Sequence, residues 1–171
     1  LKDTQILGSI QSTLYWDQNT VMPKNGSSWR GEQLTYLAKI LHARNSSDEF
    51  LNLINLAKTE LNESSDCLNE ENSSKKKNIE LLNKEFDRQR KLDPKLVANL
   101  AKAKSQGYES WQNAKRNSDF KIFLPYFEEL IILRREEANQ LSDKLSPWET
   151  LAQPYEPDIN KDWLFNIFNP L

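Results

Sequence analysis

One run of residues constrains this chain most: Asp93-Pro94, followed by Leu96, Leu100, Ala103, Gly107, Trp111 and Ala114. Asp93 suits a helix N-cap, and Pro94 suits the first helical position, where its missing N–H costs nothing. Steps of three and four put all six later residues on one helical face, and Gly107 there lets another helix approach closely. This is the cleanest stripe in the chain, and it fixes the period by which the rest is read.

The same period recurs on both sides. Ile6/Leu7, Ile10 and Leu14 mark a first helix that runs out near Trp16–Asn19, and Pro23 forbids its continuation. Asn25-Gly26 and Ser27-Ser28 read as a loop ending in an N-cap, before a second helix with Leu34, Leu37 and Leu41 on one face. Ser46-Ser47-Asp48 caps a third, striped by Phe50, Leu53/Ile54, Ala57 and Leu61. Residues 62–77 are the most polar and least periodic and read as an exposed linker, with room for a frayed helix start inside it. Ile79, Leu82 and Phe86 resume the period. Beyond the long stripe, Ser118 and Asp119 cap an element carrying Phe120, Phe123 and Phe127, which leads through Pro125 to Leu130, Ile131, Ala138 and Leu141. Ser146–Asp158 is Pro-rich and broken, and a last helix after Asn160 holds Trp163, Leu164, Phe165, Ile167 and Phe168.

With only four glycines, and no Asn-Gly or Asp-Gly between alternating apolar runs, hairpins have little support. The expected fold is all-α: an elongated assembly of long amphipathic helices without a sheet, one helical region over residues 1–171. No repeat of the solenoid kind is present.

Composition narrows the function. A hydrophobic fraction of 37% is low for a self-sufficient globule, while 10% aromatic residues argue against disorder, so those rings are buried within the chain or against a partner. Lys+Arg (23) nearly balance Asp+Glu (25), so no long-range field favours nucleic acid or anionic membrane. Cys67 is the only cysteine and forms no internal disulfide, which fits a cytoplasmic protein. No apolar run approaches the roughly 20 residues that span a bilayer, and Leu1–Gln11 has no secretory pattern. The chain opens on Leu1, and the expectation is a segment cut at both ends.

Candidates for chemistry are few. His42, the only histidine, reads as a ligand, a general base or a helix C-terminal residue facing the dipole; without partners for zinc or a triad, the last is the expectation. Glu128-Glu129 and Glu136-Glu137, with Arg134-Arg135 between them, read as a solvated salt-bridge lattice, since adjacent helical acids point about 100° apart. Lys75-Lys76-Lys77 reads as a solvated face. Trp16-Asp17-Gln18 has two readings. In the first, Trp16 packs into the core and Asp17 bonds a loop amide or Arg30; in the second, the tripeptide walls a cleft. The first is the expectation. No His-Glu-x-x-His, Cys-x-x-Cys, Gly-x-Gly-x-x-Gly or P-loop pattern occurs.

An ordered series of short motifs resembles the carboxypeptidase Taq family of zinc metallocarboxypeptidases. It begins with Trp16-Asp17-Gln18, Met22-Pro23, Arg30-Gly31-Glu32-Gln33 and Leu41-His42. It continues through Phe86-Asp87-Arg88, Leu96-Val97, Trp111, Ala114-Lys115, Asp119-Phe120 and Phe123-Leu124-Pro125, then Glu136-Glu137-Ala138 and Tyr155-Glu156-Pro157. Each match is short, and their shared order across nearly the whole chain is what makes the resemblance specific. Asp158 departs from it, standing where the family usually has Gly, and the polar linker matches nothing distinctive.

The resemblance implies a cytoplasmic, mostly helical enzyme, commonly a homodimer, that removes single residues from peptide C-termini. In that family a metal, zinc or cobalt, is held by the two histidines of His-Glu-x-x-His and a downstream Glu, and the motif's Glu activates water. None of those positions occurs here, so no catalytic, cofactor-binding or metal-binding residue is assigned in this chain. The expectation is an N-terminal helical segment, about the first third of such an enzyme. It walls or covers the substrate groove and needs a C-terminal catalytic part as partner. Rival readings are a stand-alone helical interaction module and, more remotely, an RNA-associated protein.

Overall fold

The computed structural model describes residues 1–63, 70–142 and 145–169. These form eight α-helices and two short 3-10 turns, with no strand among them. The helices are α1 (Lys2–Thr20), α2 (Ser27–Asn45), α3 (Asp48–Glu63), α4 (Glu70–Lys91), α5 (Pro94–Asn117), α6 (Leu124–Leu141), α7 (Pro147–Ala152) and α8 (Lys161–Phe168).

The stripe opened by Asp93-Pro94 becomes the central helix. The Asp93 carboxylate accepts from the amides of Lys95 (2.6 Å) and Leu96 (3.3 Å), satisfying two of the donors that a helix start leaves free. Of the six stripe residues, Leu96, Leu100, Ala103, Gly107 and Ala114 are buried, while Trp111 lies 43% exposed. α5 packs against α2 on one side and α6 on the other. Leu92, Leu96, Leu100, Ala103, Leu133 and Leu141 form the apolar core of the α5–α6 pair. A Cβ on Gly107 would stand 3.1 Å from Leu130 Cδ1, so the close helix approach expected at this glycine is made by α6.

α1 packs on α2, and α3 pairs with α4 through Phe50, Ile54 and Phe86, the Phe50 and Phe86 ring centroids lying 6.1 Å apart. The third helix takes its cap from Ser47, whose hydroxyl accepts from Phe50 N–H at 3.1 Å. The second starts earlier than expected. A 3-10 turn over Lys24–Gly26 leads directly into Ser27, which is buried in the first turn of α2, so no serine side chain caps that helix. A preceding helical turn leaves fewer free amides for a cap to satisfy.

Of the segment 62–77, Asn62 and Glu63 end α3 and residues 70–77 open α4; 64–69, with Cys67, lie outside the described residues. Charge supports this part of α4, which carries few apolar residues: Lys75 pairs with Glu71 at four-residue spacing, 2.6 Å apart.

Ser146–Asp158 holds more order than its prolines suggest. α7 begins with a full capping box: the Glu149 amide donates to the Ser146 hydroxyl, and the Ser146 amide donates back to the Glu149 carboxylate at 3.0 Å. The sequence carries that signal as Ser146-Pro147-Trp148-Glu149, with proline at the first helical position.

Candidate functional site

Two polar regions stand out, both where α1 and α2 meet α5. The first is built on Trp16-Asp17-Gln18. Successive helical residues turn by about 100°, so residues two apart point to nearly opposite sides. Here the inward residue is Gln18, 8% exposed, which donates to the Ser105 hydroxyl (3.0 Å) and carbonyl (3.3 Å) on α5. Trp16 is 61% exposed, so the expectation that it packs into the core is overturned. Of its two expected partners, a loop amide or Arg30, Asp17 takes Arg30, at 2.5 Å. The same guanidinium donates to the Leu14 carbonyl and, through Nε, to Gln33 Oε1 at 3.0 Å. One arginine thus ties the end of α1 to the start of α2. Beside it lies an open cleft of about 650 Å³, with Gln18, Met22, Ser27, Ser110, Arg116 and Tyr126 in its wall. The tripeptide's part in that wall is Gln18.

The second region surrounds His42 and Glu137. His42 lies in the last turn of α2, as expected of a helix C-terminal histidine, and is also buried. Its Nδ1 lies 3.2 Å from Gln89 Oε1, and the Gln89 amide nitrogen donates to Glu85 at 2.7 Å. Glu137 departs from the solvated lattice expected around it. It is 7% exposed, accepts from Arg134 one turn earlier, and reaches Arg88 of α4 at 3.4 Å. A buried carboxylate between two guanidiniums clamps α4 to α6. The other acids of that run, Glu128, Glu129 and Glu136, are exposed as expected. So is the lysine run, where Lys75 and Lys77 pair with Glu71 and Glu80.

Between α1, α2, α4, α5 and α6 this region opens into a cavity of about 350 Å³. Burial raises the Tyr15 phenol above its ordinary value. Desolvation, and then the nearby Arg134 charge, lowers the Lys104 ammonium, with Glu137 pulling the other way. Lys104 is exposed over more than a third of its surface, so its desolvation is partial.

Among the described residues no group of three or more His, Cys, Asp or Glu stands ready to hold a metal ion. The described residues therefore do not fit the metal implied by the resemblance. No described helix is long and apolar enough to cross a membrane.

Glu149 does structural work beyond its own cap. Its Oε1 accepts from Lys161 N–H at 3.0 Å, fixing the start of α8, while Gln153 donates to the Ile159 carbonyl and accepts from Asp158 N–H. The hydrogen bond from the Ser146 hydroxyl, followed by the Lys161 and Ser146 amides, holds the Glu149 carboxyl below its ordinary value. Polar clamps thus place α8, whose residues Trp163, Phe165, Ile167 and Phe168 all stand exposed.

The described residues of this chain form an all-helical fold with polar clefts. Its sequence matches the family described as Carboxypeptidase Taq (M32) metallopeptidase over residues 1–171, and the chain belongs to that family. It is 27% identical to thermostable carboxypeptidase 1 of Thermus thermophilus over 99% of this chain and 34% of that protein. It is 30% identical to carboxypeptidase 1 of Bacillus subtilis over 92% of this chain and 30% of that protein. The crystal structure of BsuCP superposes with a TM-score of 0.88 at 25% identity, covering 99% of this chain and 33% of that one. The chain spans about a third of the length of the relatives it matches.

Proposed function

We propose that this chain is the N-terminal helical segment of a metal-dependent carboxypeptidase that removes single residues from peptide C-termini, and that it walls or covers the substrate groove. The observation that carries this reading is the family match along the whole chain against only a third of the relatives' length. Chemistry then belongs to a C-terminal catalytic part that supplies the His-Glu-x-x-His ligands for zinc or cobalt, while this segment is silent alone. The apolar face of α8 supports the same reading: the exposed side chains of Trp163, Phe165, Ile167 and Phe168 on a short helix need cover that the described residues do not provide. A cytoplasmic homodimer completes the proposal.

The test starts from the gene. An open reading frame that encodes His-Glu-x-x-His downstream supports the proposal, and its product, loaded with zinc or cobalt, should release C-terminal residues while residues 1–171 release none. A frame that ends without the motif favours the stand-alone interaction module. C-terminal release by residues 1–171 alone would overturn the division of labour.

A further inference from the structure

Asn25-Gly26 lies between the first two helices, and no other asparagine in the chain is followed by glycine. An asparagine carboxamide stands one methylene from its own backbone, so the next residue's amide nitrogen can reach Cγ and close a five-membered ring. A side chain on that next residue crowds the approach, and glycine has none. The sequence therefore puts its most reactive asparagine at the α1–α2 junction.

The fold leaves this pair open to the reaction. Asn25 is exposed, and its side chain has no hydrogen-bond partner among the described residues. It sits in the short 3-10 turn Lys24–Gly26, whereas Asn52, Asn83 and Asn99 lie inside long helices, where the following amide is held in a continuous ladder. One backbone bond restrains the attacking group: Gly26 N–H donates to the Pro23 carbonyl at 2.9 Å. A single bond of this kind biases an equilibrium by up to about tenfold, so the turn slows ring closure without preventing it.

We propose that Asn25-Gly26 is a site of spontaneous covalent modification, passing through a cyclic imide to aspartate and isoaspartate, and that the change alters the rim of the neighbouring cleft. The Gly26 nitrogen attacks Asn25 Cγ. As the new C–N bond forms, the Cγ–Nδ2 bond breaks, and Nδ2 leaves as ammonia with the proton lost from Gly26. Water then opens the imide. Cleavage at Cγ gives aspartate on an unaltered backbone. Cleavage at the Asn25 backbone carbonyl routes the chain through the side chain, one methylene longer, as isoaspartate. Water is consumed, ammonia is released, and nothing is oxidised or reduced.

The two products differ in effect. Aspartate sets a negative charge beside the first turn of α2, which has no acid and no side-chain cap of its own. Isoaspartate lengthens the link from Pro23 to Ser27 and breaks the 3-10 hydrogen bond. Met22 and Ser27, on either side of the turn, both line the open cleft of about 650 Å³, so a longer link moves its rim. The inference rests on this turn alone and stands or falls apart from the carboxypeptidase reading.

Residues 1–171 are incubated at neutral and at mildly alkaline pH, folded or unfolded in guanidinium, and their tryptic peptides are followed by mass spectrometry. Isoaspartate is counted by methyl transfer from an isoaspartate-specific methyltransferase. In the folded chain Asn25 should convert before any other asparagine, and faster at the higher pH, because the attacking nitrogen must lose its proton. Its rate should lie within about tenfold of that in the unfolded chain. Asn25→Gln, which closes only a larger ring, should gain no methyl groups at this position while unfolding at the parent's midpoint. The isoaspartate form, separated by ion exchange, should melt earlier than Asn25→Asp, which carries the charge without the added methylene. The inference fails if Asn25 persists in the folded chain over the time in which the unfolded chain converts it. It fails equally if another asparagine converts first, or if Asn25→Gln is methylated as the parent is. Equal melting of the isoaspartate form and Asn25→Asp would overturn the change at the cleft rim.

Discussion

Asp158 has φ 66°, a left-handed backbone that side chains other than Gly adopt at a cost, Asp less than most. The resemblance leads to an expectation of Gly at this position, and a left-handed backbone after Pro157 is one that Gly adopts without strain. Asp158→Gly should therefore raise stability by about 0.5–1 kcal/mol, and Asp158→Val should lower it; urea midpoints of the two variants decide. Glu137 calls for the opposite experiment. Glu137→Ala strands Arg88 and Arg134 in a largely buried setting, and loss of one member of such a pair costs roughly 3–5 kcal/mol. Arg134 keeps 36% of its side chain in water, so a loss near 3 kcal/mol is expected, read as an earlier chemical-denaturation midpoint. Sequence alone offered Arg30 as one of two partners for Asp17, and the structure takes it, thirteen residues away on the adjacent helix. It misjudged Trp16 and Glu137 for a shared reason. Stripe reading weights apolar character, yet Gln18 reaches the buried Ser105 hydroxyl and Glu137 reaches Arg88, partners that lie 87 and 49 residues away in the chain.

Helices were the legible elements where a cap and a stripe agreed. Asp93-Pro94 opens α5 where expected, and Ser47 caps α3. α7 was missed because its six residues are too few for a period to emerge, although its capping box is written in the sequence. The box also makes α7 sensitive to acid. Hydrogen bonds favour the charged Glu149 carboxylate, so its folded pKa lies below the ordinary 4.5. A depressed folded pKa means the unfolded chain binds protons first as pH falls. The stabilisation from Glu149 is thus fully present above about pH 4.5 and is lost as pH falls through the lower, folded value. Thermal unfolding of the parent and of Glu149→Gln, compared at pH 7 and pH 3, should show a larger acid-induced drop for the parent. Equal drops would remove Glu149 from the account.

At the scale of the molecule, the open question is what the far end of the chain packs against. α8 carries Trp163, Phe165, Ile167 and Phe168, each between 43% and 63% exposed, and only Leu164 is half-buried. With Trp148, its residues Lys161, Leu164, Phe165 and Phe168 border an apolar hollow of about 340 Å³. Fully burying side chains of this size is worth roughly 1.5–3 kcal/mol each, so leaving four in water forgoes several kcal/mol. The clamps from Glu149 and Asn160 fix where α8 starts but cover none of its rings. Under the proposed reading, the catalytic part of the longer polypeptide covers this face. Without it, copies of residues 1–171 should associate through α8, since a contiguous apolar patch is seldom left in water. Replacing Trp163 and Phe168 by Ser should then shift sedimentation toward monomer and improve solubility while leaving the helical signal of the bundle intact. A parent chain that stays monomeric at high concentration, and that these replacements destabilise, would mean α8 already has a complete home in this fold; the aromatic face would then belong to the segment's own core and would say nothing of a missing partner.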